Sequence, residues 1–172
     1  MAKTYTTVPS KVTGDPISVT NWTTHLQENI NNLIVPPFAN AYRSTNQAIA
    51  TATDDNVEFV TEGKDTDGIV DIAGDDETLT IQTAGWYLIT AAVAWAANSA
   101  GHREIIVLQG IGATDIRLTT TAANSPSLTY QTATGVWNFS ALDELHLQVR
   151  QTSGGNLNVT WGSLSVNWLT SS

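Results

Sequence analysis

The sequence predicts an all-β domain, a sandwich or a barrel, and three observations carry that prediction. The stretch 79–97, LTIQTAGWYLITAAVAWAA, alternates at period two after Gly85: Tyr87, Ile89, Ala91, Val93 and Trp95 fall on one face, Trp86, Leu88, Thr90, Ala92 and Ala94 on the other. About eight short apolar runs are separated by turn-forming residues instead of long amphipathic stretches. Charge is sparse and uneven: 13% of residues are charged, and none lies between Thr78 and Gly101 in a chain of formal net charge −9. A strand uncharged on both faces is covered on both. One cover is a second sheet; the other is expected only in an oligomer. Trp86, Tyr87, Leu88, Ile89, Val93 and Trp95 are thus the candidate core and subunit-contact residues.

The length of 172 residues fits one domain with an appendage, and 41% hydrophobic content suffices for a core. Cysteine is absent, so no disulfide or thiolate metal site supports the fold. The seven basic residues are scattered singly, which argues against nucleic acid and against an anionic membrane surface. The first residues, MAKTYTTVPSKVTGD, lack the apolar run of a signal peptide, and no stretch reaches the length of a transmembrane helix. The expectation is a product made in the cytoplasm.

Residues 1–17 read as an extended arm punctuated by Pro9, Gly14 and Pro16. Over 18–35 the period changes: Trp22, Leu26, Ile30 and Leu33 form one helical stripe, with Thr20 or Asn21 as N-cap and Pro36-Pro37 as the stop. The other faces are Asn, Thr and Gln, mediocre helix formers, so the helix would be marginal alone. It is read as an anchor that docks on sister copies or on a larger partner. From 36 to 172 the chain is strand after strand. LDELHLQVRQ places Leu145, Leu147 and Val149 inward and His146, Gln148 and Arg150 outward. Ser153-Gly154-Gly155-Asn156 reads as a hairpin into the last strand. There the apolar parity changes around Trp161-Gly162, which marks a bulge.

Ten of the sixteen acidic residues lie between Asp54 and Glu77. Clustered carboxylates repel, and a hard cation such as calcium relieves this with oxygen ligands. Asp65, Asp67, Asp75, Asp76 and Glu77 are the candidate calcium ligands. The alternative is a solvated loop that keeps a threonine-rich surface soluble. His25, His102 and His146 lie in different elements with no zinc spacing, and His146 reads as exposed. With no Gly-x-Ser-x-Gly elbow and no phosphate-cradling loop, no enzyme is expected. The tryptophans of the predicted strands read as core or subunit contacts, or alternatively as an aromatic platform for sugar.

Gly85-Trp86-Tyr87, the corner Ala141-Leu142-Asp143-Glu144-Leu145 and the strand Trp161-Gly162-Ser163-Leu164 together resemble the jelly-roll of complement globular heads and the tumour necrosis factor family. Leu142 departs from that family's glycine, and Gly162 and Ser163 exchange its order. The resemblance implies a jelly-roll β-sandwich over 36–172 and a compact homotrimer. Independently, the segment from Val19 to Leu33 is similar to an N-terminal signature of bacteriophage virion proteins, in which a short Asn-rich helix precedes a β domain. Gln27-Glu28 stand where Arg-Asp is typical. That resemblance implies a virion surface protein, either a capsid decoration protein or a head fibre. Its partners would be the major capsid protein or another virion protein, reached through the N-terminal segment. The other member of that group is a tail fibre recognising a host surface glycan.

Overall fold

The computed structural model describes residues 18–110, 115–122 and 127–171. The arm expected over 1–17, the turn at Ile111-Gly112 and the break at Asn124-Ser125-Pro126 lie outside the described residues.

The predicted helix is present but not uniform. Val19–Trp22 and Glu28–Ile34 are α-helical, and Thr23–Gln27 between them forms a wider π turn. It starts earlier than the capping residues foretold: the Ser18 carbonyl accepts the Trp22 N–H at 3.0 Å. It stops at Ile34, before Pro36-Pro37, because neither proline can donate to the ladder.

Twelve strands follow among the described residues: β1 Phe38–Arg43, β2 Gln47–Ile49, β3 Asp54–Asn56, β4 Thr61–Asp65, β5 Val70–Asp71, β6 Asp75–Thr80, β7 Gly85–Trp95, β8 Arg103–Gln109, β9 Asp115–Ala122, β10 Thr129–Phe139, β11 Glu144–Gln151 and β12 Leu157–Thr170. They form two antiparallel sheets. The first runs β10-β7-β12-β1-β4 with β2 on β12, and the second β5-β6-β11-β8-β9 with β3 on β11. The core lies between them. Tyr87, Ile89, Val93 and Trp95 face Ile105, Val107, Leu145, Leu147 and Val149, all buried. Each such side chain contributes roughly 1.5–3 kcal/mol by leaving water, and Tyr87 and Phe139 add an edge contact at 5.9 Å between ring centroids.

One connection differs from the sequence reading. Thr83-Ala84-Gly85 and Ser153-Gly154-Gly155-Asn156 both reverse the chain, and each joins strands of opposite sheets: β6 to β7, and β11 to β12. The second is therefore a crossing and not a hairpin. Gly85 is required at its corner: its φ is +151°, and the Trp168 indole and the Thr170 carbonyl occupy the space a Cβ would take. The parity change in β12 is a bulge, with its pairing to β7 shifting between Val159 and Trp161.

Leu142 explains its own departure from glycine. It sits at φ +72°, in a turn where the Ser140 carbonyl accepts the Asp143 N–H at 3.3 Å. The Asp143 carboxylate accepts the Ser140 N–H and the Gln109 amide, both at 2.7 Å, and so closes the strained turn on itself and ties it to β8.

Candidate functional site

The outer face of the first sheet is the candidate site. Residues of β7 that point away from the core are flanked by β10 on one side and β12 on the other. The register sets them in rows: Tyr130–Ala94–Trp161, then Thr132–Ala92–Ser163, Thr134–Thr90–Ser165 and Val136–Leu88–Asn167. β1 extends three of these rows with Tyr42, Asn40 and Phe38. No side chain in these rows is charged. Both ends of the face are apolar or aromatic: Tyr130 is 72% exposed, Trp161 39%, Val136 49% and Trp86 42%. The middle is made of alanine and hydroxyl residues that permit close approach. Its polar groups are partly satisfied in place, since Ser165 Oγ donates to the Thr90 carbonyl and Asn40 Nδ2 to the Leu164 carbonyl, each at 3.4 Å. Covering this face with protein removes apolar surface from water at both ends, and the hydroxyl and amide groups of its middle are there to pair across the contact.

The structure thus divides the residues that sequence grouped together. Tyr87, Ile89, Val93 and Trp95 are fully inside the protomer, whereas Trp86 and Leu88 belong to the outer face. Along the helix, Trp22, Leu26, Ile30 and Leu33 are all exposed.

The acidic residues from Glu62 to Glu77 lie at one edge of the sandwich, where β4 meets β5 and β6 lies beside β5; the opposite edge is β9 and β10. Asp65-Thr66-Asp67-Gly68 and Gly74-Asp75-Asp76-Glu77 read as ligand loops in sequence; the first does turn at the end of β4, whereas Asp75, Asp76 and Glu77 open the strand β6. The five candidate calcium ligands are not brought together: among the described residues no group of three or more carboxylates or imidazoles is placed to hold a metal. The carboxylates serve their own turns instead. Asp65 Oδ1 accepts the N–H groups of Asp67 and Gly68 at 2.9 and 2.8 Å, and its Oδ2 that of Val70 at 2.8 Å. Asp75 accepts the Glu77 N–H at 3.0 Å, and Glu77 accepts the Asn56 amide at 2.9 Å. Asp67 is buried and Asp76 exposed.

Burial pushes the Asp55 carboxyl above its ordinary value of 3.8; a hydrogen bond from the Asn56 main chain works against this, and the Glu77 charge raises it further. Between 3.8 and the raised value, the folded chain holds a proton that the unfolded chain has released. Stability therefore falls as pH rises through that window. Asp55→Asn is expected to raise the melting temperature at neutral pH and to leave it unchanged well below the carboxylate range. A shift of the same size at both pH values would refute this account.

The opposite end from the β1 entry carries a neutral cluster of loops. Its supports were not foreseen. Arg103 is fully buried, with Nη1 donating to the carbonyls of Ala100 at 2.7 Å and Gly101 at 3.3 Å, and Nη2 to that of Asn98 at 2.8 Å. Desolvation lowers its ionisation from the ordinary arginine value. Gln131 bridges the Trp95 indole N–H at 2.7 Å and the Arg103 carbonyl at 3.0 Å. Gln151 donates to the carbonyls of Ile49 and Gly155 at 2.9 and 2.8 Å. Gly101, at φ +67°, lies flat against the Thr152 carbonyl and joins the β7–β8 and β11–β12 loops. The signal for all three buried polar residues was parity. Arg103, Gln131 and Gln151 each continue the inward-facing series of its strand.

His146 corrects an expectation. It is 4% exposed, with Nδ1 3.3 Å from Thr78 Oγ1. Its neighbours across the sheet are Thr78 and Leu108, and Thr78 takes up its ring nitrogen. His102 is exposed and its Nδ1 meets Thr152 Oγ1 at 2.9 Å. His25 contributes no described side chain.

No protein-family model matches the chain, and no curated protein matches it in sequence. Solved structures do resemble it. The globular domain of the zebrafish complement 1qA protein superposes with a TM-score of 0.57 at 13% identity, over 79% of this chain and 99% of that one. Murine APRIL gives 0.57 at 10% identity, over 77% and 99%. The Eiger TNF of S. frugiperda gives 0.52 at 12% identity, over 79% and 95%. The β domain therefore has the jelly-roll fold of complement globular heads and tumour necrosis factor-like domains.

Proposed function

We propose that the chain is a non-enzymatic structural protein of a phage virion. In this reading it is a homotrimer on the particle surface, a capsid decoration or head-fibre protein attached through residues 1–35. The observation that carries the proposal is the outer face of the first sheet: uncharged, apolar at both ends, and left bare by a protomer of net charge −9. Acidic edges repel when copies associate, so the neutral face turns inward and the β4–β6 edge outward. The virion-type signature over the helix supports attachment through the N-terminal segment. Deleting residues 1–35 is expected to leave a soluble trimer that no longer binds the particle. A deletion variant that fails to fold, or that still binds, would defeat this division of labour.

The pinned neutral loops favour a second reading, a tail-fibre module that recognises a host surface glycan. Ordered Ser, Asn, Gly and Thr loops present hydrogen-bonding groups at low ordering cost. Glycan-array binding by the full chain, with few copies per virion, would favour this reading over decoration.

A further inference from the structure

We infer that the N-terminal helices of three copies pack against one another through their apolar stripe, as a short parallel bundle continuing the axis of the heads. This rests on the homotrimer proposed above. The stripe is longer than Trp22, Leu26, Ile30 and Leu33 alone. Val19 belongs to it, and the spacings from Val19 to Leu33 are then three, four, four and three residues. Val19 and Ile30, and likewise Trp22 and Leu33, are one 11-residue repeat apart. On an unbroken α-helix that spacing keeps a seam in line; here the wider π turn of Thr23–Gln27 falls inside it, so the stripe runs as a broader apolar face.

All five stripe side chains are exposed on the protomer, so their cover lies outside it. The rest of the helix is rich in Asn, Thr and Gln, and isolated helices of this length and composition are marginal. The occupant follows from where the helix joins the head. Only residues 35–37 separate it from Phe38, which sits in the outer-face row of Asn167, Leu88 and Val136. Three residues span at most about 10 Å. Copies that associate through this face therefore bring their three helix ends to the common axis, and the like stripes meet there. The stripe is then consumed by assembly, and the arm of residues 1–17, with the polar helix faces, remains to meet the particle.

The chain has no cysteine, so single cysteines report without background. Full-length Leu26→Cys and Ile30→Cys are compared with Gln27→Cys, an exposed position off the stripe. Each is oxidised mildly and run on a non-reducing gel, with sedimentation of the reduced samples alongside. In a parallel bundle, equal positions of three copies converge. Leu26→Cys and Ile30→Cys are expected to form covalent dimers within the trimer, and Gln27→Cys is not. A sedimenting trimer in which stripe cysteines stay unlinked, or link no better than Gln27→Cys, overturns the bundle and leaves the trimer standing. A single sedimenting subunit overturns the trimer, and the bundle with it.

Discussion

Ala92→Glu is expected to convert the assembled protein into a folded single subunit. Ala92 lies at the centre of the uncharged outer face, between Thr132 and Ser163 on the neighbouring strands. It is half-buried there, so in a lone protomer a glutamate can lift its carboxylate into water and the core beneath is untouched. In a trimer closed through this face, the same carboxylate is taken out of water without a cation, three times around one axis. An unpaired buried ion costs several kcal/mol, and like charges brought together add to that. No lysine or arginine in the rows of this face can compensate. Sedimentation velocity together with far-UV circular dichroism checks the outcome. A variant that stays trimeric would remove the outer face from the assembly.

Arg103→Met is the second large effect, and it acts on the fold. The guanidinium is the shared donor for three carbonyls of the β7–β8 loop, and its side chain is fully buried. Methionine fills much of the volume and supplies no donor. Hydrogen bonds from a charged group contribute about 1.5–3 kcal/mol each, and carbonyls that regain water on relaxation recover part of it, which leaves a loss of about 3–4 kcal/mol. For a chain of this size that is a fall of about 10 °C in melting temperature. Arg103→Lys should recover little of it, because an ammonium cannot reproduce the planar fork that reaches Asn98, Ala100 and Gly101 together. Hydrogen exchange of residues 96–102 should quicken in both variants. An unchanged melting temperature for Arg103→Met would mean that the loop holds itself.

Much of the architecture was written locally. The alternation of Tyr87, Ile89, Val93 and Trp95 marked the core face of β7, and Leu145, Leu147 and Val149 did the same for β11. The bulge lies between Val159 and Trp161, just before Gly162, and Pro36-Pro37 stand beyond the helix stop. The outer face was legible in the same way, as a run without charge on either side of one strand. Side-chain parity and chain-breaking residues are properties of a few neighbouring positions, and sequence states them directly.

Tertiary structure decided everything that depends on what lies across the sandwich. A turn at Thr83-Ala84-Gly85 reverses the chain, but only the packing of Trp168 and Thr170 against Gly85 shows that it also changes sheet. His146 has the parity of a solvent position and is buried beside Thr78 and Leu108, which the sheet brings to it from other strands. The acidic segment forms β4, β5 and β6 because β1 and β11 offer edges to it, through β6 in the second sheet, and not because its own residues favour strands. Arg103, Gln131 and Gln151 follow the inward parity of their strands; Arg103 turns back on the nearby carbonyls of its own loop, whereas Gln131 reaches Trp95 and Arg103, and Gln151 reaches Ile49, far along the chain. Periodicity fixes which side of a strand is apolar; partners and cover are set by contacts between distant segments, and only the folded chain supplies those.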